Sequence, residues 1–353
     1  MKKIIFAMLI ILIIGCIFTG MTTAQTQYVM KMSHNGTGDP FTCPISANSQ
    51  VLKTEVERLS GGRIKVEIYP AGQLGDNRSS VEQVRKGTIE AVNTSTGILA
   101  SLYFKKLGIL DMPFMFSSVE AASRALDANN PFIKKLIEEC AEKTGIRILS
   151  MFPFGARQLT NNVRPIHSPD DMKGLKIRVM EIVPHMELIK SLGATPTPIP
   201  YTELYTSLQS NVVDGQENPL VNIYNAKFYQ VQKYCTLTGH VMGISSTLVN
   251  EKWFQSLPDD LKLALVEANK VADTTVVGLG SIMNSVDVEK LISEGMEIYA
   301  PTPEEMAMFR EKAVPYVKKW MEGEFGVDFV SEYLAYVKAT EDGIKAEVES
   351  LKK

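Results

Sequence analysis

β-branched and alternating segments recur along this 353-residue chain with helix-patterned segments between them, and that alternation constrains the fold more than any other feature. Strands are expected at 28–33, 63–69, 89–94, 146–152, 175–180 and 245–250, with helices at 47–59, 79–86, 119–126, 131–143 and 183–192. Such an order implies α/β layers with mainly parallel sheets. The stretch 258–291, opened by Leu257-Pro258-Asp259-Asp260 and rich in Ala, Leu, Val and Lys, reads as one unusually long helix. The length favours two domains. No Gly/Ser linker, charge block or repeat divides the chain, so two domains must be tied by several crossings.

The N-terminus sets two lysines ahead of an apolar run from Ile4 to Ile14, followed by small and polar residues up to Ala24. That is the build of a secretory signal, and the run is about half the roughly 20 residues that a bilayer crossing needs. Residues 1–24 are therefore expected to be a leader cleaved after Ala24, although Ile13-Ile14-Gly15-Cys16 also suits lipid attachment at Cys16. The mature protein is expected outside the cytoplasmic membrane. Loss of Lys2 and Lys3 moves the formal charge from −3 to about −5, and no basic stripe offers itself to phosphates, so nucleic acid is not an expected partner. Beyond Cys16 lie Cys43, Cys140 and Cys235, an odd and widely spaced set that supports at most one disulfide.

Enzyme signatures are missing. The chain has no G-x-S-x-G elbow, phosphate-binding loop, H-E-x-x-H or C-x-x-C, and Gly36-Thr37-Gly38 lacks the third glycine of a dinucleotide fingerprint. His34, His167, His185 and His240 are scattered without metal-ligand spacing, so neither catalysis nor a metal or cofactor is expected.

Arg178 stands in Leu175-Lys176-Ile177-Arg178-Val179, whose odd positions are apolar. Its side chain is either part of a solvated strand face or a fixed guanidinium that grips a carboxylate through two charge-assisted hydrogen bonds. Spacing does not choose between these. Downstream, 201–209 reads as a short helix, and 211–219, with Asp214-Gly215 and Asn218-Pro219, reads as a polar turn able to face a ligand.

These segments together resemble the DctP-type solute receptors of tripartite ATP-independent periplasmic (TRAP) transporters. The resemblance is carried by 172–180 (MKGLKIRVM), 193–198 (GATPTP), Tyr201-Thr202-Glu203-Leu204-Tyr205 and Asp214-Gly215-Gln216-Glu217-Asn218-Pro219, with support from 61–63, 73–75 and 155–161. It implies an α/β, two-lobed periplasmic-binding-protein fold with a hinge and a long helix crossing both lobes. The first lobe is expected at 25–154 with 244–283, and the second at 155–243 with 284–353. A small organic acid, such as a sugar acid, hydroxy acid or keto acid, would be captured through its carboxylate and delivered by a monomer to a small and a large membrane subunit.

The resemblance also implies roles. Arg178 makes the main ion pair with the ligand carboxylate, Asn218 bonds it too, and Arg157 supports it, as in the sialic-acid-binding branch. Tyr201 packs on the ligand, and Asn35 follows the first strand; His34, Asn93, Ser95 and Glu181 are further pocket candidates by position. The chain departs from the sialic-acid branch where Asn93-Thr94-Ser95 replaces a glutamate, at Glu181, and by one extra residue between Arg157 and Arg178. Two rivals are a receptor for an ATP-driven importer or signalling system, and a secreted enzyme using Glu217 or Glu181 as general base.

Overall fold

A computed structural model describes residues 28–351. The leader, with Cys16 and Ala24, lies outside the described residues. In chain order the strands are β1 (Tyr28–His34), β2 (Ile64–Tyr69), β3 (Ala91–Ser95), β4 (Ile146–Asn161), β5 (Lys176–Val179), β6 (Thr195–Pro198), β7 (Gly215–Pro219), β8 (Tyr234–Thr236), β9 (Met242–Asn250) and β10 (Glu297–Tyr299). The expected α/β alternation is present, with helices between most of the strands.

The main path of the sheet runs β2-β1-β3-β9-β4-β7-β5-β6. On one side β1 lies parallel to β2 and β3, and on the other β5 lies parallel to β6 and β7. The two antiparallel strands β9 and β4 stand between them. β4 extends well past the expected strand at 146–152. Its first part pairs with β9, its last residues pair with β7 and β8, and the register shifts at Pro153/Gly155. At this crossing the backbones lie too close for side chains. A Cβ on Gly243 would stand 2.9 Å from the Gly155 carbonyl, and one on Gly280 of the long helix 3.1 Å from the Phe154 carbonyl.

The long helix, Asp259–Ser293, matches its expected span closely. Pro258 precedes it, and Asp259 and Asp260 lie in its first turn, where the N-terminal end of the helix dipole favours negative charge. Its early turns place Leu261, Leu265, Ala268 and Ala272 in a core with Met30, Met32, Leu52 and Val66. Its last turn places Leu291 in another, with Leu204, Phe228 and Cys235. One helix thus contributes to two separate hydrophobic cores.

One segment differs from the sequence reading. Residues 215–219, expected as part of a turn, form the buried strand β7, where Gln216 and Glu217 find partners on β4 and Asn218 bonds Gln216 and Asn222. Thr195–Pro198 forms β6, an edge strand that tolerates two prolines because only its β5 side is paired. Helices Pro303–Phe325 and Val327–Ser350 complete the chain; the first is set by a Thr302/Glu305 capping box and Pro303. Cys43, Cys140 and Cys235 are buried free thiols, so no disulfide joins them.

Candidate ligand-binding site

A cleft of about 740 Å³, open solvent at its mouth included, lies where β1 and β3 face β5 and β7. Among the candidates, Arg157, Asn218, Tyr201, Asn35, Asn93 and Ser95 line it. Arg178 is fully buried next to Val179 and the wall residue Met180, His34 is buried at the end of β1, and Glu181 is half-buried; none of these three is in the wall. Glu181 Oε1 lies 3.5 Å from Arg78 Nε, and the Asn225 amide donates to the Thr42 carbonyl, so contacts run between the two sides.

The two arginines differ in their partners. Arg157, near the end of β4, is opposite Pro219 on β7, and its guanidinium clamps the Glu217 carboxylate. Nε donates to Oε2, and Nη2 donates to Oε1 at 2.9 Å and to the Glu217 carbonyl. Arg178, 1 % exposed, donates Nε to the Ile199 carbonyl at 2.8 Å, while its Nη1 is buried without a partner. No described carboxylate forms an ion pair with it. Burial lowers its pKa to about 10 despite the pull of Glu217. The solvated-face reading of Arg178 is thereby excluded.

Around Glu217 the charges pair off. His185, in the helix Val183–Ser191, stands between two acids, with Nδ1 3.4 Å from Glu217 Oε1 and Nε2 3.1 Å from Asp111 Oδ1. Burial opposes a charged ring, but the Glu217 and Asp111 carboxylates outweigh it and raise the His185 pKa to about 9. Burial instead lowers the pKa of His240, so its neutral ring accepts at Nδ1 from the Thr238 hydroxyl and donates Nε2–H to Glu217 at 3.3 Å. Burial opposes the Glu217 charge as well, yet Arg157 and His185 hold its carboxyl well below the usual range. Arg157, Arg178 and protonated His185 are three cations facing two carboxylates, which leaves one buried positive charge.

A pH dependence follows from His185. Its folded pKa lies above the unfolded 6.5, so its stabilisation is complete below about pH 6.5 and is lost as pH rises through about 9. The shift corresponds to on the order of 3 kcal/mol. The melting temperature of the wild type is expected to fall more steeply across that window than that of His185→Gln. Parallel falls in the two proteins would show an uncharged ring.

Asn218 lies on β7, where its amide donates to Gln216 Oε1 at 2.5 Å and Gln216 donates to Thr160 Oγ1 at 2.9 Å. Tyr201 meets Phe228 edge-on at 6.2 Å, and burial raises its hydroxyl pKa, so it presents a neutral phenol. Glu217, His185 and Asp111 are participants that the sequence reading did not place in a binding site. Glu217 stood within the Gln216-Glu217-Asn218-Pro219 segment. His185 and Asp111 carried no local signal, because their roles arise from residues far apart in the chain.

The candidate general bases are both engaged, Glu217 by Arg157 and two histidines and Glu181 by Arg78. No group of His, Cys, Asp and Glu among the described residues has the arrangement to hold a metal ion. No helix among them is long and apolar enough to cross a membrane.

Comparison with known proteins identifies the family. A solute-binding protein of Verminephrobacter eiseniae is 40 % identical over 214 residues, 61 % of this chain and 63 % of that one. The sialic acid-binding periplasmic protein SiaP of Vibrio cholerae is 31 % identical over 289 residues, 82 % of this chain and 87 % of SiaP. The crystal structure of the sugar acid binding protein DctPAm of Advenella mimigardefordensis, in complex with galactonate, superposes with a TM-score of 0.82 at 30 % identity, covering 88 % of this chain and 98 % of that one. Residues 41–324 match the family model of bacterial extracellular solute-binding proteins, family 7, and the chain belongs to this DctP family of two-lobed TRAP solute-binding proteins.

Proposed function

We propose that this protein captures a small organic monocarboxylate, with Arg178 as the principal contact of the carboxylate, Asn218 and Arg157 as supporting contacts, and Tyr201 packing on the ligand. The observation that carries this reading is the buried Arg178, which has no ion-pair partner among the described residues while the neighbouring charges pair off. A buried, unpaired guanidinium costs several kcal/mol, and one carboxylate cancels the remaining positive charge. The opposite wall supports one acid group and not two. Asn35, Thr37, Asn77, Asn93 and Ser95 are uncharged, and His34 behind them is kept neutral by burial, with a pKa near 4. The sialic acid and galactonate of the two named relatives are monocarboxylates of this kind.

In this reading residues 1–24 direct export and are removed. Residues 25–154 with 244–283 form one lobe, and 155–243 with 284–353 the other. Their closure over the ligand excludes water and strengthens the arginine–carboxylate pair. The closed monomer then docks on the two TRAP membrane subunits, without catalysis. Asn35, Asn93 and Ser95 contact the rest of the ligand, and His34 and Glu181 act from behind the wall and at its rim.

Thermal unfolding against a carboxylate library is the direct test. An acid that binds only the folded protein is expected to add about 2.7 kcal/mol at 100 times its Kd, and the corresponding neutral sugar or alcohol to add nothing. Equal stabilisation by acid and neutral analogue would remove Arg178 from the site.

A further inference from the structure

Opposite the arginines, the wall contains a run of hydrogen bonds that ends inside the cleft. Asn93, at the centre of β3, is 1 % exposed and lines the cleft. Its Nδ2 donates to Asn48 Oδ1 at 2.8 Å, and its Oδ1 is buried without a partner. Asn48, fully buried on the helix Pro44–Leu59, donates its own Nδ2 to Asp273 Oδ1 at 3.1 Å. Asp273 belongs to the long helix, which packs against Pro44–Leu59. The Ser150 hydroxyl lies 3.1 Å from the same Asp273 oxygen and 3.1 Å from Asn269 Oδ1.

The direction of this run is set at its far end. An amide can present either its oxygen or its nitrogen to a neighbour, but an ionised carboxylate only accepts. Once ionised, Asp273 turns the Asn48 nitrogen toward itself, which leaves the Asn48 oxygen for Asn93 and engages the Asn93 nitrogen. What remains for the cleft is the Asn93 oxygen, an acceptor. A buried acceptor facing another acceptor costs about 1–3 kcal/mol, so it selects a ligand with a donor at that point.

We infer that the Asp273–Asn48–Asn93 relay fixes Asn93 as an acceptor in the cleft, so that the ligand is a hydroxylated acid with one hydroxyl directed at Asn93, and that Asn48 and Asp273 are positioning residues for this selection. The inference rests on the carboxylate-binding reading and narrows it from organic acids in general to hydroxylated ones. Thr94 Oγ1 and both side-chain polar atoms of Asn35, buried on the same side without partners, offer further hydrogen bonds to such a chain. Keto or deoxy carbon opposite Asn93 would leave its oxygen unbonded.

The test uses galactonate, or the tightest-binding hydroxylated acid of the library, together with analogues in each of which one hydroxyl is replaced by a keto oxygen, which accepts a hydrogen bond but cannot donate one. Titrations run at about pH 8, above the value near 7 to which burial pushes Asp273. One analogue is expected to bind the wild type roughly 10- to 100-fold more weakly than its parent. In Asn48→Ala and in Asp273→Asn that ratio is expected to fall to within about 3-fold, because Asn93 is then free to turn its nitrogen inward. The exchanged pair Asn48→Asp with Asp273→Asn puts the carboxylate in the middle of the relay, where it accepts from both neighbours, and is expected to restore the ratio. A purely structural role would weaken parent and analogue alike and leave the ratio unchanged. Ligand-free melting curves verify that each variant folds. An unchanged ratio in both single variants, or no recovery in the folded exchanged pair, overturns the relay. Binding confined to acids without hydroxyls overturns the inference while leaving the carboxylate reading intact, whereas the absence of binding by any acid removes both.

Discussion

Arg178→Lys is expected to weaken acid binding by about 30-fold to several thousand-fold, the equivalent of roughly 2 to 5 kcal/mol for a buried charged hydrogen bond that loses its partner. Lysine retains the charge but not the planar fork that meets both carboxylate oxygens, so the variant tests geometry separately from charge. The ligand-free protein supplies an independent check. Arg178 has no ion-pair partner there, and only its Nε is held, by the Ile199 carbonyl. Arg178→Met is therefore expected to raise ligand-free stability while abolishing binding, since replacing a buried unpaired charge with an apolar side chain of similar length removes its desolvation cost. Calorimetric titration and chemical denaturation measure the two quantities. A lysine variant that binds like the wild type, or a methionine variant that is less stable without ligand, would show that Arg178 is not the carboxylate contact.

Glu217→Gln carries the largest expected change in stability, a loss of about 3 to 5 kcal/mol. The carboxylate joins Arg157, His185 and His240 in one buried group, and removing its charge leaves the buried Arg157 guanidinium without its counter-charge. The His185 ring would then lose its principal counter-charge, and its pKa is expected to move down from about 9. Nuclear magnetic resonance titration of the ring detects that directly. Arg157→Lys is expected to be milder than Arg178→Lys in binding and to change which acids are accepted, because Arg157 is committed to Glu217 and reaches the ligand as a neighbour. Should Arg157→Lys abolish binding while Arg178→Lys does not, the roles of the two arginines are reversed. A Glu217→Gln variant as stable as the wild type would mean that the histidines and Arg157 do not depend on that carboxylate.

The pairing of the charges also separates binding from chemistry. A carboxyl held well below its usual range by an arginine and a protonated histidine is a weak base. Glu217 is thus suited to holding Arg157 and His185 in place, and its chemistry supports the receptor over the enzyme reading.

Much of the architecture was legible in the residues. Periodicity identified the six strands 28–33, 63–69, 89–94, 146–152, 175–180 and 245–250 to within a few residues, apart from the continuation of β4, and Pro258 with Asp259 and Asp260 marked the start of the long helix. These signals are local: the alternation of side chains on a strand and the dipole at a helix end act over a few residues, so composition alone expresses them. The polar segment 215–219 misled for the same reason. Its side chains resemble those of a turn, and only the partners Thr160, Arg157, His185 and His240, brought from elsewhere in the chain, make a buried strand of it.

The sequence by itself determined the alternating fold, the helix that spans both cores, and, through resemblance, the two arginines and the asparagine expected at the carboxylate. Tertiary structure alone decided that Arg178 is buried and unpaired while Arg157 is paired with Glu217, that His185 is charged and His240 neutral, and that Asn93 offers an oxygen to the cleft. The reason is physical. Charge state and hydrogen-bond direction depend on burial and on partners that can be more than a hundred residues away, as Asp273 is from Asn48, and no local pattern of residues encodes either.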